Sequence, residues 1–168
     1  MAERTSAGIL LYRWSGVASA DGRLEVLLAH PGGPFFAKRD LGDWTIPKGE
    51  PDGSHEPMLV AARREFEEET GTGLDPATPA IELGSIVQKG GKVVHAWAIQ
   101  GDLDPAEARS NMFEIVWPPR SGKRESFPEI DRVAWFTPDE ARRRIKPTQV
   151  PLIDRLEAAL DGRAGSPR

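Results

Sequence analysis

The segment Arg63–Gly71 (RREFEEETG) carries four glutamates, Glu65, Glu67, Glu68 and Glu69, on the last turns of a helical pattern. A helix C-terminus is partially negative, so each acid there costs about 0.3–1 kcal/mol. Like charges at i,i+4, such as Glu65 and Glu69, cost roughly 0.2–0.5 kcal/mol more. A bound divalent cation would reverse the sign of both effects. At about 100° per residue, Glu65 and Glu69 lie about 40° apart, beside the face marked by Phe66, and Glu68 lies about 60° from Glu65. Arg64 and Glu68 are an i,i+4 pair, so Arg64 can hold Glu68 in place, while Glu67 points to solvent. Taken alone, the run reads equally as a metal-binding edge or as a solvated charged face.

The helix that must carry these acids spans Pro57–Thr70. Pro57 suits the first helical position. Glu56 can cap free N–H groups at the positive end of the dipole. Gly71 closes the helix in the left-handed conformation. Leu59, Ala62 and Phe66 mark the core face. Before the helix, Ala7–Tyr12 and Leu24–Ala29 read as buried strands joined by a polar loop, Ser15–Gly22. His30–Trp44 reads as a long Gly- and Pro-rich loop that presents Lys38 and Arg39. After the helix, Ile81–Gln88, Val93–Ile99, Phe113–Trp117 and Arg132–Phe136 read as strands, the first two joined by a hairpin turn at Gly90-Gly91. Trp117–Arg124 (WPPRSGKR) reads as a basic loop that either covers the site or simply connects strands. Pro138–Arg144 and Thr148–Leu160 read as helices. The order predicts an α/β fold, a mixed β-sheet with helices packed on it. With no internal repeat and no long linker, residues 1–168 form one domain, with Asp161–Arg168 as a flexible tail.

Composition narrows the chemistry. The chain of 168 residues contains no cysteine and only three histidines, which excludes thiolate chemistry and disfavours a His-rich zinc site. Oxygen ligands remain, and these favour hard cations, Mg²⁺ or Mn²⁺. The net charge of −4 provides no global basic field for a nucleic-acid backbone. No stretch approaches the roughly 18 apolar residues of a membrane span. Met1–Gly8 lacks the charged start and apolar run of a signal peptide, so the expected location is cytoplasmic.

Gly49 to Thr72 (GEPDGSHEPMLVAARREFEEETGT) resembles the Nudix box. In that pattern a Gly, five residues and a Glu are followed by seven residues, Arg-Glu, an apolar residue, any residue, Glu-Glu, any residue, Gly and an apolar residue. Glu56, Arg64-Glu65, Phe66, Glu68-Glu69 and Gly71 all fall in place. Six residues, not five, separate Gly49 from Glu56, and Thr72 is polar where the family prefers an apolar residue. Ala7-Gly8, the run Trp44-Thr45-Ile46-Pro47-Lys48-Gly49, and Glu129 ahead of Trp135-Phe136 look like the dinucleoside polyphosphate hydrolase branch. The resemblance implies an alpha/beta/alpha sandwich and Mg²⁺-dependent cleavage of a diphosphate link in a nucleotide. It implies Glu65, Glu68 and Glu69 as metal ligands, with the Gly49 carbonyl as a further one.

Within that reading, Glu69 or Glu129 is the general base and Arg64 orients Glu68. Glu56 braces the loop, caps the helix, or does both. Lys48 lies where a substrate phosphate should sit. Lys38 and Arg39 either contact distal phosphates or solvate their loop. Trp97, Phe35 and Phe36 could stack a base at about 1–3 kcal/mol, or simply pack, and His95 is a polar contact or a structural residue. The substrate is a small nucleotide, a dinucleoside polyphosphate before a modified nucleoside triphosphate. The alternatives are a nucleotide-sensing module on the same scaffold, since fold does not fix function, and a docking domain whose acidic face meets a basic partner.

Overall fold

The structure, a computed structural model, describes residues 4–15 and 22–164. The loop expected at Ser15–Gly22 lies almost wholly outside the described residues, as do residues 1–3 and 165–168. Strand β1 (Thr5–Ser15) runs through the middle of a six-stranded sheet. It pairs antiparallel with β2 (Arg23–Pro31) and with the two-residue β3 (Lys48–Gly49). On its other side it pairs parallel with β5 (Val93–Gln100), whose antiparallel partner is β4 (Ala80–Val87). The far edge is β8 (Ile130–Phe136), antiparallel to β2.

Both faces of β1 are covered, which explains its unbroken apolar run. Alternation sends Ala7, Ile9 and Leu11 to one core and Leu10 and Tyr12 to the other. The first core is closed by α1 (Met58–Thr70) through Ala61, Ala62 and Phe66, with Leu59 half-buried beside them. The second is closed by α2 (Pro138–Arg144) and α3 (Val150–Ala164) through Ala141, Leu152, Ile153 and Leu156. The result is the expected helix–sheet–helix sandwich. Among the described residues, no helix is long and apolar enough to cross a membrane.

Three expectations need correction. Helix α1 starts at Met58, so Pro57 is its N-cap and not its first turn, and no side chain caps it. The Glu56 carboxylate is drawn away, as described below. Helix α3 runs to Ala164, so residues 161–164 are helical rather than part of a tail. Residues 112–128 form a separate hairpin outside the main sheet, β6 (Met112–Val116) with β7 (Arg124–Pro128). The second of these strands has three successive exposed residues, so it lacks the apolar alternation by which a half-buried strand is read.

Candidate active site

The carboxylates converge because β3 and the end of α1 pack tightly against each other and against β1. Gly8 permits the first contact. A Cβ there would come within 2.7 Å of Ile46 and 2.9 Å of the Pro47 carbonyl. Gly49 permits the second. A Cβ at that position would collide with the Glu65 carboxyl group, so any side chain would push Glu65 out of place. The neighbouring Lys48 N–H donates to Glu69 Oε2 at 3.0 Å. The end of α1 is then tied to a third segment. Gly71, at φ 78°, donates to the Glu67 carbonyl at 2.8 Å. Arg109 N–H donates to the Thr70 carbonyl and Asn111 N–H to that of Glu68, at 2.8 and 2.9 Å. The Asn111 carbonyl accepts from Glu129 N–H at 2.8 Å, and this sets Glu129, between β7 and β8, beside the acidic cluster.

Arg64 is the hub of the cluster. Its Nε and Nη2 donate to Glu56 in a two-pronged pair, both at 2.9 Å. Its Nη1 donates to Glu65 Oε1 at 3.0 Å and to Glu68 at 3.1–3.2 Å, and Nη2 also reaches the Glu50 carbonyl at 3.0 Å. Glu56 in turn accepts the Asp52 N–H at 2.9 Å. Glu56 therefore braces the loop through Arg64 and Asp52, and these bonds hold its carboxyl at a pKa of about 2. The same partners raise the Arg64 pKa further, so it is a permanent cation.

The remaining acids are pushed the other way. Glu69 is almost buried, and loss of water raises its pKa from 4.5 to about 8, with smaller contributions from Glu65 and Glu129. Burial also raises Glu65, Arg64 opposes it, and Glu68 and Glu129 add to the rise. Glu129 is raised by partial burial and by the charge of Glu68. Lys48 is depressed from 10.5 to about 8, by burial first and then by Lys92 and Lys146. Several acids that repel one another in a poorly hydrated place suit a divalent cation in donor type and in charge. As the side chains stand, Arg64 lies between Glu65 and Glu68, and among the described residues no three acids meet at one metal-ligand point.

A pH effect follows for the metal-free protein. With a folded pKa of about 8 against an ordinary 4.5, Glu69 binds its proton more tightly in the folded chain. The stability this contributes is complete below about pH 4.5 and is lost as pH rises through 8. Thermal melts in chelator should therefore show a falling Tm from pH 5 to pH 8, and Glu69→Gln should flatten that slope. An equal slope in both proteins would show that Glu69 is not the group responsible.

The other candidate residues are dispersed. Arg39 is exposed, pairs with Asp43 at 3.4 Å, and lines a cavity with the half-buried Phe36. Lys38 is exposed. Trp97 packs against the α1 core. His95 is half-buried in β5 opposite Ala7 and Ser85. Phe35 is 64% exposed and meets Trp117 edge-on at 5.4 Å. Sequence reading missed Lys92 and Lys146, whose charges act on Lys48. A lone lysine in a loop carries no pattern that would single it out.

A family model described as the NUDIX domain matches residues 12–156. No curated protein matches the chain. Among solved structures, a Caenorhabditis elegans Ap4A hydrolase binary complex superposes with a TM-score of 0.64 at 21% identity, covering 94% of this chain and 98% of the other. The NUDIX domain of Shewanella oneidensis NrtR complexed with ADP ribose gives 0.64 at 17% identity, over 95% and 90%. The Nudix hydrolase RenU of M. smegmatis gives 0.57 at 20% identity, over 99% and 91%. At these identities the likeness is one of fold.

Proposed function

Because the chain belongs to the Nudix family and is a Nudix pyrophosphohydrolase, we propose that it cleaves a phosphoanhydride bond in a nucleotide polyphosphate with the help of Mg²⁺ or Mn²⁺. Dinucleoside polyphosphates come first and modified nucleoside triphosphates second. The observation that carries the reading is the desolvated set Glu65, Glu69 and Glu129 beside the ammonium of Lys48.

Glu65, Glu68 and Glu69 would hold the cation, with the Gly49 carbonyl as a further oxygen. When bound, the cation neutralises phosphate oxygens and lowers the pKa of water. The chain supplies the rest. Arg64 holds Glu65 and Glu68 in one orientation. Lys48 holds a phosphate oxygen next to the acids. Glu69 or Glu129 takes the proton as water oxygen bonds to phosphorus, and the bridging P–O bond breaks toward the leaving phosphate. In the metal-free protein Glu69 titrates near pH 8, so it can hold a proton at physiological pH.

Incubating the protein with diadenosine polyphosphates, normal and oxidised nucleoside triphosphates and ADP-ribose, with Mg²⁺ or EDTA, tests the assignment. Metal-dependent cleavage, with products identified by chromatography, is the expected result. Metal-dependent binding without turnover would instead assign a sensing module. Lys48→Ala removes one ammonium but keeps the backbone N–H that Glu69 accepts. A charged hydrogen bond is worth roughly 1.5–3 kcal/mol, so KM should rise about tenfold or more with little change in Tm. An unchanged KM would remove Lys48 from the site.

A further inference from the structure

His30 is fully buried near the end of β2, and the chemistry above gives it no task. A polar ring shut off from water needs partners for its nitrogens. Nε2 lies 2.6 Å from the Arg39 carbonyl oxygen, and Nδ1 lies 2.9 Å from Asp131 Oδ1. A carbonyl only accepts, so Nε2 carries a hydrogen and donates it. The Nδ1 contact then takes a second hydrogen, on the ring or on the carboxylate. Arg132 Nη1 stands farther off, 3.4 Å from both Nδ1 and Asp131 Oδ1. Trp44 meets the imidazole edge-on at 5.2 Å. One ring therefore joins the end of β2, the loop that follows it and the start of β8.

The backbone on both sides of Glu129 is fixed at this junction. Strands β2 and β8 pair in step as far as His30 and Arg132, but the next pair is Pro31 with Ile130. Asp131 is thus an extra residue on β8, a bulge of the kind that bends a strand and re-aims a side chain. Gly32 then approaches so closely that a Cβ there would collide with the Pro128 carbonyl oxygen. Its N–H donates to the Glu129 carbonyl at 2.9 Å. On the other side, Glu129 N–H donates to the Asn111 carbonyl at 2.8 Å, and Asn111 N–H donates to the Glu68 carbonyl at 2.9 Å. A continuous path of backbone and hydrogen bonds runs from His30, through Glu129, to the acid-bearing end of α1.

We propose that His30 and Asp131 are positioning residues for Glu129, their mutual hydrogen bond holding the bulge that sets the Glu129 carboxylate beside the acids of α1. The proposal rests on the hydrolase reading, in which Glu129 is one of two groups that take the proton from water. Both residues act through Glu129 rather than on substrate.

Asp131→Ala tests this, because the Asp131 side chain is 29% exposed and its loss leaves the core filled. Amide hydrogen exchange on the full chain, with neither metal nor substrate, should show the Gly32 and Glu129 N–H groups exchanging at least about tenfold faster than in wild type, with those of α1 unchanged. With a cleavable nucleotide and Mg²⁺, kcat should fall about tenfold or more at a KM within about twofold, since a misplaced reacting group costs rate. Made in a Glu129→Gln background, the same substitution should cost less than about twofold further, because the group it positions is already gone. Asp131→Asn, whose amide can donate to Nδ1 or accept from it, should keep wild-type exchange and most of kcat. Unchanged exchange at Gly32 and Glu129, or an equal loss of kcat with and without the Glu129 carboxylate, would overturn the proposal. Exchange needs no turnover, so its failure is separable from a failure of the hydrolase reading, which shows as absent metal-dependent cleavage by the wild type.

Discussion

Glu69→Gln is expected to lower kcat by at least about a hundredfold at saturating Mg²⁺ while the protein stays folded. The substitution keeps size and keeps an oxygen to accept the Lys48 N–H, a bond of 3.0 Å. It removes the negative charge and the basicity with which a carboxylate takes up a proton. General-base catalysis alone contributes about 10²–10⁴, and loss of a metal ligand adds to the deficit. Stability should not suffer, because burial already disfavours the charged form of Glu69 in the metal-free chain. Steady-state kinetics beside a thermal melt decide the matter. Near-normal turnover in a folded variant would remove Glu69 from the site, and a larger loss in Glu129→Gln would transfer the role of base to Glu129.

Replacing Arg64 should have the second-largest effect, and on two properties together. One guanidinium serves Glu56, Glu65 and Glu68, and its side chain is only 25% exposed. Arg64→Ala leaves those acids without their shared cation at the negative end of a helix. Unpaired, partly buried charges of this kind cost about 2–3 kcal/mol, less than the 3–5 kcal/mol of a fully buried pair. Arg64→Lys supplies charge without the planar fork that pairs with both Glu56 oxygens, so kcat should still fall about tenfold or more. Mg²⁺ should restore part of the Tm lost in Arg64→Ala, since the cation and the guanidinium neutralise the same acids. A Tm insensitive to Mg²⁺ in wild type and variant alike would separate Arg64 from any metal site.

The parts of the fold that were legible in sequence are those governed by local rules. The span of α1 and its glycine stop could be read from spacing, and so could the i,i+4 contact of Arg64 with Glu68, because neighbours within a helix fix them. Strand β1 could be read because both its faces are buried. The reading of Glu56 as a helix cap failed because a guanidinium eight positions on competes for the same carboxylate and wins with two charged hydrogen bonds. Strand β7 escaped because exposed strands obey no burial pattern. Apart from Glu129, the carboxylates lie within one contiguous stretch, Glu56–Glu69, and that stretch was open to sequence reasoning. The cationic half was not. Lys146 meets Trp44, and Gln149 meets Thr45 and Ile46, only through the packing of residues about a hundred positions apart, which no local pattern encodes.

That division has a consequence for how the chain assembles during synthesis. Strand β1 reaches its parallel neighbour β5 only after α1 and β4 have been made, and β2 waits for β8 to cover its edge. Such non-local pairing slows folding. Gly49, Glu65, Glu68 and Glu69 leave the ribosome in one short stretch. Residues 146–149, which lock the loop at Thr45 and Ile46, emerge near the end of translation. A nascent chain thus exposes repelling carboxylates well before the segment that anchors Trp44, Thr45 and Ile46 can dock. Anchoring of the segment that leads into Lys48 and Gly49 is thus coupled to release of the C-terminal residues, and a product truncated before Lys146 would lack those anchors.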